Sequence, residues 1–154
     1  MLIANPSHVS YVTNDLDAAM EAYRTRYGVE KFMMYDHDTS PGGPRLALAY
    51  TGDIFIELLQ PGPASEDFFK VPFEPEMLTI RHHHMGYLVQ GDEAWDQLLT
   101  DLDRQKFPIV LEGEQPGFVR YLFADTRAVD GIYREFVMHT GKEGHAMYAR
   151  IPRN

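Results

Sequence analysis

The sequence predicts an α+β protein of two similar halves, each running strand, helix and then three strands. Three observations carry this reading. The order of apolar periodicities is the same in both halves. A strand-borne histidine opens each half, in His8-Val9-Ser10-Tyr11-Val12 and again in His84-Met85-Gly86-Tyr87-Leu88. A glutamate inside an apolar strand closes each half, in Ile56-Glu57-Leu58-Leu59 and Arg134-Glu135-Phe136-Val137. A repeated order of this kind is the mark of duplicated architecture.

In the first half, residues 7–13 alternate apolar with polar and read as a strand. Asn14 or Asp15 can cap the following helix, whose core face is Leu16, Ala19, Met20 and Tyr23. Gly28 is suited to end it as a C′ residue, because only glycine enters the left-handed region without penalty. Residues 32–35 form a short strand, and 36–44 (DHDTSPGGP) a turn-rich loop. Residues 45–50 and 54–59 are two strands joined through Thr51-Gly52-Asp53, a hairpin connection.

From Gln60 to Thr79 five prolines and glycines break any regular element: Pro61, Gly62, Pro63, Pro72 and Pro75. Phe68, Phe69 and Phe73 imply that this connector packs on something. The second half then repeats the plan. Residues 82–89 are a strand, and Asp92 can cap a helix carrying Trp95, Leu98, Leu99 and Leu102. Residues 107–111, 118–124 and 132–137 complete the half as strands. The expected organisation is one domain over 1–154, with a module at about 3–60, a connector at 61–80 and a second module at 81–138. A C-terminal tail, 139–154, can cover a cleft or pack on a partner chain.

Composition narrows the function. The chain is 44% hydrophobic and 24% charged, ordinary for a globular protein. Neither a membrane-spanning run nor a signal peptide is legible, so the expected compartment is the cytoplasm. The net charge of −9 disfavours nucleic acid and an anionic membrane surface as partners. There is no cysteine, which excludes disulfides, thiolate ligands and cysteine nucleophiles. Any metal site must use His, Asp and Glu, which suits one divalent ion such as Zn, Fe, Mn, Ni, Co or Mg.

The spacing of the repeat supports such a site. His8 to Glu57 spans 49 residues and His84 to Glu135 spans 51; the histidines are offset by 76 and the glutamates by 78. A carboxylate in a buried apolar strand is costly unless it is paired, hydrogen-bonded or bound to a cation. Taken singly, each residue has a plainer reading: a strand histidine as a satisfied core group, a strand glutamate as a solvent-facing one. Four related by one near-constant offset point to a shared metal site at His8, Glu57, His84 and Glu135. In Arg81-His82-His83-His84, alternation puts His82 and His84 on one face and His83 on the other. His84 is preferred because its following residues match those after His8. A one-residue shift in register favours His83, and His82 can support a ligand from behind. His37, His139 and His145 lie outside the repeat and read as structural or surface residues.

At these residues the chain resembles the vicinal oxygen chelate superfamily, the group of the glyoxalases, methylmalonyl-CoA epimerases, bleomycin resistance proteins and extradiol dioxygenases. The matching motifs are the two His segments, Ile-Glu57-Leu-Leu-Gln-Pro61 and Tyr-Arg-Glu135-Phe-Val, in order over roughly residues 3–138. The resemblance implies two tandem βαβββ modules forming curved mixed sheets around a metal cleft, and a homodimer. It implies His8, Glu57, His84 and Glu135 as ligands to one divalent metal ion. It also implies chemistry in which the metal polarises adjacent substrate oxygens while a carboxylate moves a proton. Glu135 is the first candidate for that base and Glu57 the second.

The chain departs from the epimerases, which carry a further glutamate on the strand before the second ligand. Residues 45–50 (RLALAY) hold no carboxylate, and this argues against a two-base racemisation. The expected function is therefore a glyoxalase-like lyase or isomerase acting by metal-assisted proton transfer on a small α-oxygenated carbonyl substrate. The alternative is a non-catalytic small-molecule binding or sequestration protein of the same fold. A ring-cleaving dioxygenase is a lesser one, because members of that type use longer chains with two His and one Glu. Arg120, Tyr121, Arg127, Tyr133 and Arg134 can hold an anionic or aromatic group, or serve as surface ion pairs and core aromatics.

Overall fold

The computed structural model describes residues 1–36, 42–74 and 76–154. The expected loop at 36–44 falls mostly outside these residues, with His37, as does Pro75. The described elements are β1 (Pro6–Thr13), α1 (Leu16–Tyr27), β2 (Met33–Asp36), β3 (Arg45–Thr51), β4 (Ile54–Gln60) and β5 (Ile80–Leu88). There follow α2 (Asp92–Gln105), β6 (Ile109–Gln115), β7 (Val119–Asp125), α3 (Arg127–Asp130), β8 (Tyr133–His139) and α4 (Lys142–Arg150). This is the α+β class that the sequence predicts.

The chain forms two compact units, and their boundary falls inside β1 and inside β5 rather than in the connector. One unit comprises Val9–His83 with Ile151–Asn154; the other comprises Met1–His8 with His84–Arg150.

In the Val9–His83 unit the strands lie in the order β2-β3-β4-β1. α1 begins at Asp15, whose carboxylate accepts from the Ala18 amide at 3.0 Å, and ends at Gly28 with φ 72°. Both ends are those expected. Its buried face, Leu16, Ala19, Met20 and Tyr23, packs on Ala47, Ala49 and Leu58. Burying each large side chain of that face contributes about 1.5–3 kcal/mol. Leu48 is paired with Glu57, so Glu57 lies on the sheet face turned away from α1.

In the other unit the order is β5-β8-β7-β6, parallel between β5 and β8 and antiparallel beyond, a mixed sheet. α2 covers one face through Trp95, Leu98 and Leu102, against Tyr87, Leu122 and Phe136. The cap of α2 is Gly91 and not Asp92. At φ 83° and ψ 164° that position belongs to glycine. Asp92 instead joins Glu93 in the first turn, where acids complement the helix dipole. β6 begins two residues later than expected. The Phe107 amide still donates to the Leu102 carbonyl, closing α2, and Pro108 has no amide to give a strand ladder.

The tail folds. α4 docks on its unit by stacking His145 on His139, centroids 4.7 Å apart and rings 17° from parallel. Tyr148 meets the same His139 at 4.5 Å. Residues 151–154 belong to the Val9–His83 unit, where Arg153 bridges to Tyr50 and Asn154 exchanges hydrogen bonds with Lys31.

Candidate metal centre

His8, His84 and Glu135 converge within the unit that holds the second module. The Nε2 atoms of the two histidines stand 3.3 Å apart. Glu135 Oε2 lies 2.8 Å from His8 Nε2 and 3.4 Å from His84 Nε2. The histidines are 2% and 1% exposed and the Glu135 side chain 14%, so all three groups are nearly out of water.

Strand register explains the convergence. β5 and β8 run parallel with Gly86 opposite Glu135, placing the glutamate beside a residue that has no side chain. The His8 ring occupies that space: a methyl group on Gly86 would overlap its Cε1 and both nitrogens. The rings of His8 and His84 are nearly perpendicular, 87°, with centroids 5.4 Å apart. Behind them, the Ser7 hydroxyl is 3.0 Å from His8 Nδ1, which holds the ring with Nε2 turned toward its partners. Phe123 stands edge-on to His84 at 5.0 Å.

Burial pushes the Glu135 carboxyl up, but hydrogen bonds from His8 and His84 outweigh it and lower the pKa to about 2. The group is therefore a carboxylate at neutral pH.

The donor set fits a divalent ion. Ligands at the usual distance of about 2.1 Å from a tetrahedral ion stand about 3.4 Å from one another. Two of the three separations here are within a tenth of that, and the third, 2.8 Å, is a direct hydrogen bond. Two neutral imidazoles and a carboxylate are borderline-to-hard donors, and three protein ligands leave positions for water or substrate.

The structure assigns separate surroundings to the other expected residues. Glu57, in the Val9–His83 unit, accepts from the Ser10 hydroxyl at 2.8 Å. Ser10 is the repeat counterpart of Gly86, so one half places a hydroxyl beside its glutamate where the other leaves room for an imidazole. Within the triplet, His83 donates from Nε2 to the Phe68 carbonyl at 2.9 Å and is buried between Phe68 and Phe69. His82 is exposed, its ring 5.4 Å from Tyr11. Only His84 of the three joins the described cluster.

Arg120 lies over the Trp95 ring at 4.7 Å. The Arg127 guanidinium is held by Asp125 through two hydrogen bonds and covers Tyr133. Arg134 binds the Tyr87 hydroxyl and Asp130. The contributions of Ser7 and Phe123 were not legible in the sequence. Gly86 was legible as the small residue of the repeat, but not as the seat of the His8 ring.

A mixed sheet carrying a buried histidine–carboxylate cluster defines an α+β protein with a candidate metal centre. The sequence matches the profile of the glyoxalase/bleomycin resistance protein/dioxygenase superfamily over residues 7–124, and the chain belongs to that superfamily. Solved structures with the same fold include the methylmalonyl-CoA epimerase of Mycobacterium tuberculosis. It is 22% identical, with 92% of this chain and 91% of that chain covered and a TM-score of 0.61. A Streptomyces coelicolor methylmalonyl-CoA epimerase variant in complex with 2-nitronate-propionyl-CoA is 21% identical, covering 89% and 98%, TM-score 0.61. A hypothetical protein from Bacillus halodurans is 17% identical, covering 87% and 93%, TM-score 0.64. No curated protein matches the sequence. No helix of the described residues is long and apolar enough to cross a membrane.

Proposed function

We propose that this chain is a glyoxalase-like metalloenzyme that moves a proton on a small α-oxygenated carbonyl substrate, as an isomerase or lyase. The observation that carries the proposal is the convergence of His8 Nε2, His84 Nε2 and Glu135 Oε2 in a nearly dry site. These three residues would hold one divalent ion, which when bound supplies Lewis-acid stabilisation of a developing oxyanion. Glu57 is kept as the fourth ligand and second base on the strength of the sequence repeat alone. A homodimer, the single-domain organisation and a cytoplasmic location complete the proposal.

Glu135 is the base. It is ionised at neutral pH and close to where substrate oxygens would bind. The same Nε2 atoms cannot both donate to Glu135 and ligate a cation. A carboxylate beside the ion would be a weak base, and close contact with substrate together with partial displacement from the ion would raise its basicity. Ser7 keeps the His8 ring in place, and the burial of the cluster excludes water from the transferred proton. The methylmalonyl-CoA epimerases among the structures of the same fold favour the isomerase branch; the lack of a carboxylate on β3 favours a single base over two.

The test is metal content of the purified protein beside His84→Ala and Glu135→Ala. About one divalent ion per chain, lost in both variants, is expected. A wild-type protein that takes up no ion on resupply overturns the proposal and leaves a small-molecule binding protein.

A further inference from the structure

We infer that a groove beside the C-terminal end of α1 binds a planar aromatic monoanion, with Tyr27 as the stacking surface and Arg26 as the cation. The groove lies wholly within the Val9–His83 unit and has a volume of about 780 Å3. Sites for small molecules span roughly 300–1,000 Å3. It opens on the side of the sheet where Ile56 and Ile80 pack with Tyr23 under α1. Glu57, the next residue along β4, points to the opposite face.

Helical spacing builds one wall. Ala22 and Arg26 stand one turn apart on α1, as do Tyr23 and Tyr27, so the four share a face of its last turns. Tyr23 is buried and forms the floor with Ile56 and Ile80. Tyr27 meets the Tyr23 ring at 5.1 Å, at an interplanar angle of 58°, and still remains 70% exposed. A ring left this open beside an apolar floor has area that a planar ligand can cover. Leu78, also exposed, lines the groove from the connector. Its segment is pinned: Asn14 Nδ2 donates to the Met77 carbonyl at 2.8 Å, and the Thr79 amide donates to Asn14 Oδ1 at 2.9 Å. Both sides are therefore built before any ligand arrives.

Charge selects an anion. The chain carries −9, but among the described residues the lining has no carboxylate, and Arg26 is its one charged side chain. Arg24, two residues earlier, is engaged by Glu21, by the Glu30 carbonyl and by the Phe32 ring. Arg26 is exposed and makes no ion pair among the described residues. Burial, and then the neighbouring Tyr11, push the Tyr23 phenol up, so the floor is uncharged at neutral pH. One cation beside an uncharged aromatic and aliphatic floor matches a ring bearing a single carboxylate or sulfonate.

The test titrates the protein with naphthoate and with its neutral amide, followed by amide-proton NMR. Chelator is present throughout, so that no bound metal can capture the carboxylate. The acid is expected to bind roughly threefold to fivefold tighter than the amide, the scale of one exposed ion pair. Shifts should fall on the last turn of α1 and on residues 78–80. Arg26→Gln should remove the preference and leave the amide's affinity unchanged, whereas Tyr27→Ala should weaken both ligands roughly fivefold. Both side chains are exposed, so both variants should fold. Equal affinities for acid and amide overturn the anion assignment. Failure of both to bind, or binding that neither variant changes, overturns the site. Self-association lost in Tyr27→Ala would give the groove to a second copy of the chain and overturn it as well. None of these outcomes bears on metal content, so this inference and the metal-site reading fail separately.

Discussion

The Nε2 atoms of His8 and His84 face each other across 3.3 Å although 76 residues separate them in the chain. Each histidine opens its own copy of the repeated motif, and both meet the same oxygen of Glu135. The centre thus depends on a few contacts whose removal has distinct consequences.

Gly86→Ala should dismantle the centre without touching a ligand. A methyl group there overlaps the His8 ring, which has no room to retreat in a buried site. Overpacking of this kind costs about 1–3 kcal/mol, and the displaced Nε2 should weaken metal affinity at least about tenfold. Thermal unfolding and metal titration of the variant read both effects. Unchanged affinity would show that the His8 position is not set by Gly86.

Metal should stabilise the fold. An ion held only by the native state adds about 2.7 kcal/mol at a free concentration one hundred times Kd. For a chain of this size that raises Tm by about 5–10 °C. Scanning calorimetry with and without chelator measures it, and His8→Ala should show no such rise.

Acid should unfold the metal-free protein through Glu135. Its pKa is lowered from 4.5 to about 2 in the folded state, so its contribution is complete above about 4.5 and is lost as pH falls toward 2. Glu135→Gln should flatten the stability profile over that window. A variant whose profile keeps the wild-type slope would assign the acid sensitivity to other groups.

A second and separate acid response belongs to His139. Burial first, and then the neighbouring His145, lower its pKa from 6.5 to about 4. Between those values the unfolded chain binds a proton that the folded chain does not, so stability declines as pH falls from 6.5 to 4. His139→Phe keeps a ring for His145 and Tyr148 to pack on and should remove this decline, as followed by Tm against pH. The two windows barely overlap, so both variants can be scored on one set of melts.

Much of this was legible in the sequence. The helix from Asp15 to Gly28 was set by a capping carboxylate, a 3.6-residue apolar stripe and a glycine at the left-handed position, all within fifteen residues. The paired His and Glu positions were visible as a near-constant offset, which needs no knowledge of the fold. Local rules missed the α2 cap, because Gly91 acts through its backbone angles while Asp92 only looks like a cap. They also left α4 unassigned, because its docking depends on His139 at the end of β8.

What the sequence by itself determined is the α+β order, the repeat and the short set of side chains able to bind a metal. These rest on periodicity and spacing, which are properties of neighbouring residues. Tertiary structure alone decided that His84 and not His83 joins His8, since one step along β5 turns a side chain to the opposite face. It also decided the different surroundings of the two glutamates: Ser10 gives Glu57 a hydroxyl, whereas Gly86 leaves Glu135 to the imidazoles. Both outcomes depend on the pairing of strands far apart in the chain, and spacing along one strand does not encode that register.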